Sequence, residues 1–380
     1  MSALVEHAPA ATPVRARYAY ADNLKVVLVI GVIVAHVTMA WTGMSTWVFD
    51  EPPIREPLLS LLSAVEVIGG MFGMALFFLI AGAFTPGSLS RKGMRRFLID
   101  RTVRLGVPMA FFMIALSPFV EYADPDNAGW DQGFWRFTVA VWGEFVPGPT
   151  WFLGVLLVLS AAYALLRAAH PRAAVSPSPL RARHLVLVGT VVALTSYLVR
   201  IGAPIGVEHW HLNVAQAPAW VAGFALGVLG GERGWFEGLS PELSRGLFRA
   251  AWAAVAGTAL FVGTASATGA DIDLFSGGGA WQSFVIAALE GVLMVAMSLW
   301  LLDLFRRRAN RPSHLGRELG RAAFAAFVVH QVVLVALVLW THHLPWPPEV
   351  EYLFVGALGV AGSFAIASVL VRLPGVSHVV

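Results

Sequence analysis

Cysteine is absent from the 380-residue sequence, which excludes disulfides, thiolate metal centres, palmitoylation and a cysteinyl acyl intermediate. Charge is scarce as well. Asp, Glu, Lys and Arg together make up 13% of the residues, about half of what a soluble domain carries. Such a chain is not an ordinary soluble enzyme. Its formal net charge of +3 is too small a field to hold nucleic acid. What fills the sequence is apolar: 57% of the residues are hydrophobic, and lipid is the solvent that accepts so much apolar surface. No compelling internal repeat is evident, and the one clear linker is the Pro/Ser/Arg-rich stretch from His170 to Arg183.

Apolar runs of spanning length begin near Leu24, Leu58, Leu105, Trp151, His184, Leu212, Ala250, Trp281, Ala322 and Tyr352. The expected fold is therefore an all-α polytopic membrane protein with about ten transmembrane helices. Residues 1–20 hold Glu6, His7, Pro9 and Pro13 and lack an apolar core, so they read as a polar cytoplasmic tail and not as a cleavable signal. The membrane domain runs over 21–372 and a short cytoplasmic tail over 373–380. With the N-terminal tail inside, 23 of the 26 basic residues fall on the cytoplasmic side and only Arg55, Arg136 and Arg200 outside. That asymmetry predicts that both termini are cytoplasmic. Acidic residues such as Asp50, Glu51, Glu121, Asp126, Asp131, Glu349 and Glu351 collect on the other side. The segment 134–146 is aromatic and apolar but carries Arg136 and Glu144 and is too short to span, so it is expected to lie on the outer interface.

Four ionisable residues fall well inside the spans: His36, Glu66, Glu290 and His330. Charged groups at that depth cost about 2.5 to 3.5 kcal/mol on insertion scales, which makes them functional suspects. At a rise of about 1.5 Å per residue their depths from the inner face come out near 18, 18, 16 and 12 Å. All four are expected near the midplane. A lone His or Glu in such a place can also simply bond a neighbouring helix. Lys25 and His36 are 11 residues apart, which is three helical turns plus about 20°, so they share one face of the first helix about 16 Å apart. A cation at the cytoplasmic mouth and an imidazole deep along the same wall suit a long substrate with an anionic head and a reactive tail. A lysine there can equally snorkel to lipid headgroups. Arg101 and Arg104, three apart, are expected to present two guanidinium forks on one helix face, the geometry for a phosphate. The neighbouring Arg91, Lys92, Arg95 and Arg96 are fully explained as a topogenic basic loop.

These features together resemble the acyltransferase 3 family of bacterial polytopic membrane O-acyltransferases, in particular its glucans biosynthesis protein C-like branch. The resemblance rests on YADNLKVVLVIGVIVAH at 20–36, FFLIAGAF at 77–84, FLIDRTVRLGVP at 97–108, TWFLGVLLVLS at 150–160 and FAAFVVHQ at 324–331. The chain departs from the common pattern at Lys25 (often Arg), Ala81 (often Ser) and Phe327 (often Tyr). The resemblance implies transfer of an acyl group from cytoplasmic acyl-CoA to a hydroxyl of a glycan or small-molecule acceptor, presented at the outer face of a bacterial inner membrane. No metal is implied. A neutral imidazole at His36 would act as general base and a carboxylate, Glu66 first and Glu290 second, would orient it. A covalent acyl-histidine step is a variant of the same chemistry. His330 matches the late histidine, and Lys25, Arg101 and Arg104 would hold the donor's phosphates. The alternative is a proton-coupled secondary transporter or flippase, which needs the same midplane acids and histidines together with broken helices and related halves. His209, His211, His342 and His343 are the residues from which an outer metal site would be built, though loop histidines are more often solvated. Gly69 with Gly73 and Gly223 with Gly227 are expected to be helix-packing notches.

Overall fold

The computed structural model describes residues 19–43, 51–124, 133–170, 178–271 and 273–376. Arg15, Arg17, Asp50, Asp126, Asp131 and Arg172, and most of the polar tail, the 170–183 linker and the last four residues, lie outside the described residues. Among the described residues there is no strand, and ten helices are long and apolar enough to cross a membrane. The chain is a multi-pass, all-α membrane protein. Its elements are α1 (Ala19–Thr42), α2 (Leu58–Lys92), α3 (Met94–Tyr122), the short α4 (Phe134–Glu144), α5 (Trp151–Ala169), α6 (Ala182–Gly202), α7 (Ala217–Arg233), α8 (Pro241–Ala267), the single-turn α9 (Asp273–Ser276), α10 (Trp281–Arg308), α11 (His314–Thr341) and α12 (Pro348–Leu370).

Several helices begin before their apolar runs do. The basic loop expected around Arg91 to Arg96 shrinks to one residue, Gly93, at φ +72°. Glycine adopts that left-handed conformation without a Cβ clash, so α2 turns straight into α3. Arg and Lys are good helix formers whose stems lie along apolar surface, so they continue the helix instead of ending it. Helix α12 likewise starts at Pro348, with Glu349 and Glu351 in its first turn. Proline at the first position and acids beside the helix's positive end are the favoured start.

Helix α3 is not uniform. It widens into π-turns at Thr102–Gly106 and Phe112–Leu116, in the turns just before Pro108 and Pro118. A proline inside a helix removes one amide donor and crowds the preceding turn, and a π-turn absorbs the misfit. Pro118 deprives the Ile114 carbonyl of its usual partner, and Trp142 of α4 donates its indole N–H there at 3.0 Å. That bond, with Phe134 tilted against Phe119 and both Phe134 and Phe137 edge-to-face with Tyr122, holds α4 on the end of α3. Eleven residues rise only about 16 Å, half of a hydrocarbon core about 30 Å thick, and Phe145 ends α4 in the left-handed region at φ 55°. The segment is thus a separate helix that does not span by itself.

Two apolar cores hold the bundle. One joins α1, α2, α3, α5, α7, α11 and α12 around Ile33, Val37, Trp41, Phe78, Leu153 and Leu334. The other joins α2, α6, α7, α8 and α10 around Leu76, Leu79, Leu226, Leu293 and Met294. Helix α7 lies along α2 in the most extensive helix pairing. Gly223 and Gly227 make that approach possible: a Cβ on either would run into the carbonyl oxygen of Ala75 or Leu79. Those two glycines are the expected notch. Gly69 and Gly73 are not, since a Cβ on either meets nothing within 4 Å among the described residues.

Candidate active site

Helix α11 carries Ala322, Ala323, Ala325 and Ala326, all buried, and small side chains let helices approach closely in the absence of a hydrophobic drive between them. Its neighbours are α1 and α12. The approach brings His330 of α11 onto His36 of α1, with ring centroids 4.8 Å apart and planes at 71°. His36 is half-buried and His330 fully buried. Each ring is anchored to its own helix: His36 Nδ1 donates to the Val32 carbonyl at 2.8 Å and His330 Nδ1 to the Phe327 carbonyl at 2.7 Å. A carbonyl only accepts, so in both neutral rings the proton sits on Nδ1 and Nε2 keeps its lone pair. His330 Nε2 is buried and has no hydrogen-bond partner among the described residues. Two imidazoles thus meet edge to face, and neither Nε2 has a hydrogen-bond partner among the described residues. Gln331, next in the chain, also has its Oε1 buried without a hydrogen-bond partner among the described residues.

The four midplane residues singled out from the sequence do not form one cluster. Glu66 of α2 accepts from Thr42 Oγ1 at 3.4 Å, six residues and about 9 Å beyond His36 along α1. Thr42 is about 240° around the helix from His36. The hydrogen bond on the His36 ring goes to the Val32 carbonyl, and Glu66 of α2 meets the C-terminal end of α1 instead. Glu290 is further removed in kind. It is 2% exposed on α10 and bonded to Arg200 Nη2 of α6 at 2.6 Å, with Arg200 itself 1% exposed. Arg200 therefore is a buried partner in the second core and not a loop residue. Gly189 and Gly291, whose backbones nearly touch, let α6 and α10 close on that pair. Arg200 Nε and Nη1 have no partner among the described residues.

The basic residues assigned to a phosphate also separate. Arg101 turns inward, its Nη2 donating to Thr85 Oγ1 of α2 at 3.3 Å and its guanidinium carbon 5.2 Å from the Phe97 ring centroid. Arg104 turns outward, exposed, with Nε 3.4 Å from Asp100 Oδ1. The π-turn Thr102–Gly106 starts right after Arg101 and contains Arg104, and its wider turn breaks the shared face that α-helical spacing predicts. Lys25 keeps its place at the start of α1, where its Nζ lies 2.9 Å from Asp22 Oδ1.

Further polar contacts at the C-terminal end of α1 went unread in the sequence. Thr38 Oγ1 and Tyr352 Oη of α12 lie 3.2 Å apart. Glu51, counted as a loop acid, is buried beside His342 Nδ1 at 2.9 Å, and Glu351 is also buried. A tyrosine or acid at the first turn of a helix facing a threonine is too common a pattern to signal a contact by itself. His211 lies 3.2 Å from the Glu144 carbonyl. Among the described residues no group of three His, Asp or Glu side chains is disposed to hold a metal ion.

Against families of known proteins, residues 18–368 match the acyltransferase 3 model, described as an acyltransferase domain. No curated protein and no solved structure matches the chain. The match takes in both histidine-bearing helices and the whole membrane bundle between them. The chain belongs to the acyltransferase 3 family and is a multi-pass membrane acyltransferase.

Proposed function

We propose that the protein transfers an acyl group from cytoplasmic acyl-CoA to a hydroxyl of a carbohydrate or other acceptor presented at the outer face of a bacterial inner membrane, with both chain termini in the cytoplasm. The observation that carries this reading is the His36–His330 pair with both Nε2 atoms free to accept a proton. His36 is the base. It is the less buried of the two, and it shares a helix face with Lys25. As the acceptor oxygen attacks the thioester carbon, Nε2 takes the hydroxyl proton. The C–S bond then breaks, and the proton passes to the departing thiolate, leaving an ester and free coenzyme A. The Val32 carbonyl holds the tautomer, the part a carboxylate plays in a hydrolytic triad. His330, packed edge-on against His36, fixes that ring and supplies a second acceptor for the hydroxyl. Glu66 and Glu290 take supporting places outside this step.

Acyl-CoA fits the polar end of the same wall. Its head is polyanionic and its thioester sits on a long flexible arm, so cations at the mouth and a base about 16 Å deeper match its two ends. Lys25, Arg101 and Arg104 hold the phosphates, with Arg101 the innermost. The test is transfer by the purified protein in lipid nanodiscs: labelled acyl-CoA and a carbohydrate acceptor should yield an acylated product and stoichiometric free coenzyme A. A His36→Ala protein that is folded and turns over at near the normal rate would refute the mechanism. In cells, single cysteines placed at Asp126 and Ser176 should label from opposite sides of the membrane, and labelling from one side would refute the orientation.

A further inference from the structure

The cations that the proposed reading gives to the acyl donor are not waiting empty-handed. Lys25 is paired with Asp22, three residues earlier on the same helix, at 2.9 Å. Asp100 accepts from Lys92 Nζ at 2.6 Å across the α2–α3 turn and lies 3.4 Å from Arg104 Nε, four residues later on its own helix. Arg101 differs. Among the described residues it makes no ion pair and is held by the Thr85 hydroxyl and the Phe97 ring. Both acids precede their cations on one helix by three or four residues, the spacing and order in which such pairs are most favourable. Neither can leave the mouth when a ligand arrives.

We propose that Asp22 and Asp100 are built-in counter-anions that an acyl donor's phosphates must displace, and that they restrict the site to donors carrying several phosphate charges. This rests on the reading of Lys25, Arg101 and Arg104 as the donor's docking cations. Among the described residues Lys25 is paired with Asp22, and Lys92 and Arg104 share Asp100, while Arg101 is in no ion pair. A donor with a single phosphate, carrying about −1.5 to −2 charges, can engage Arg101 but meets the Asp100 carboxylate one residue away on the same helix. A donor with several phosphates satisfies Arg101 and still has charge left to draw Lys25 and Arg104 away from their aspartates. Pairs as exposed as these are individually weak, so a polyanion can open them. The same weakness means that they discriminate by charge number and leave tight binding to Arg101.

The experiment compares acyl-CoA with the corresponding acyl-phosphopantetheine, which keeps the thioester arm and one phosphate, using the full-length protein in nanodiscs. Wild-type protein should prefer acyl-CoA in KM. In Asp100→Asn and in Asp22→Asn the KM for acyl-phosphopantetheine should fall by about fivefold relative to that for acyl-CoA, and further in the double variant. A role in merely holding the α2–α3 turn would change folded yield and leave the KM ratio where it was, so an unchanged ratio in both folded single variants overturns the proposal. An equal gain for both donors also overturns it, since general electrostatics would then suffice. If Asp100→Asn does not fold, Asp22→Asn on the intact hairpin carries the comparison. Failure of the underlying reading has a different signature: wild-type protein with no preference for phosphorylated donors and no KM change in Arg101→Ala.

Discussion

Two buried polar pairs sit in different halves of this bundle and do opposite things. Arg200 and Glu290 meet at 2.6 Å between α6 and α10, and each commits its charge to the other. His36 and His330 meet at 4.8 Å between α1 and α11, and each turns its proton-bearing nitrogen to its own helix, leaving the basic one free. Both pairs combine burial with interhelical contact, so burial alone does not mark a reactive site. The difference lies in what meets: opposite charges in the first pair, and two basic imidazoles in the second. A buried ion pair is a structural tie that is strongly destabilising to break from one side, whereas a buried acceptor without a protein partner carries a desolvation cost that a ligand hydroxyl offsets.

Mutations that break each pair should therefore fail in different ways. His36→Ala should lower turnover by about 10²- to 10⁴-fold, the range for a lost general base, while the protein still inserts and binds acyl-CoA. Size-exclusion profiles and steady-state kinetics on the same sample separate the two effects. An Ala inserted between Val29 and Ile30 should be as damaging, since it rotates His36 by about 100° away from the Lys25 face with both side chains still present. Glu290→Ala should show the reverse pattern, a loss of about 3 to 5 kcal/mol of stability with normal turnover per folded molecule. Replacing both Arg200 and Glu290 by Met and Leu should return most of that stability, because a well-packed apolar pair is often as good as a buried ion pair. Thermal unfolding in detergent reads both.

Smaller effects sharpen the same contrast. Arg101→Ala should weaken acyl-CoA binding by about 1.5 to 3 kcal/mol, and Arg101→Lys should restore little of it, since a point charge cannot reproduce the planar fork. Glu66→Gln should change turnover least, by no more than a few fold, because Glu66 is bonded to Thr42 and not to His36. A catastrophic loss in Glu66→Gln would return it to the role of orienter.

The spans were legible in the sequence and their azimuths were not. An apolar run of about 20 residues declares a span, and counting along it placed His36, Glu66, Glu290 and His330 near one level. Which helix each one faces depends on how the spans pack. That information is spread over small residues such as Ala322 to Ala326, Gly223 and Gly291 and shows only once helices are in contact. Gly69 with Gly73 and Gly223 with Gly227 have identical spacing, yet only the second pair meets a neighbour. Periodicity failed where the helix itself changes, since the shared face expected for Arg101 and Arg104 is undone by the π-turn ahead of Pro108. Arg200 was misplaced because a basic residue two positions from a helix end reads as a loop charge, while its long side chain reaches down to Glu290. The histidines were found because a lone titratable group in an apolar run is conspicuous.

Single-turnover transfer on purified protein reaches the central claim most directly, with acyl-CoA binding measured on the same preparations of wild type, His36→Ala and Glu290→Ala. The His36–His330 pair as the reactive site predicts that His36→Ala binds acyl-CoA as tightly as wild type and releases coenzyme A at least a hundredfold more slowly, about the lower bound for a lost base. The same account predicts that the folded fraction of Glu290→Ala turns over normally. Full-rate coenzyme A release by folded His36→Ala, or lost chemistry in folded Glu290→Ala, would contradict it.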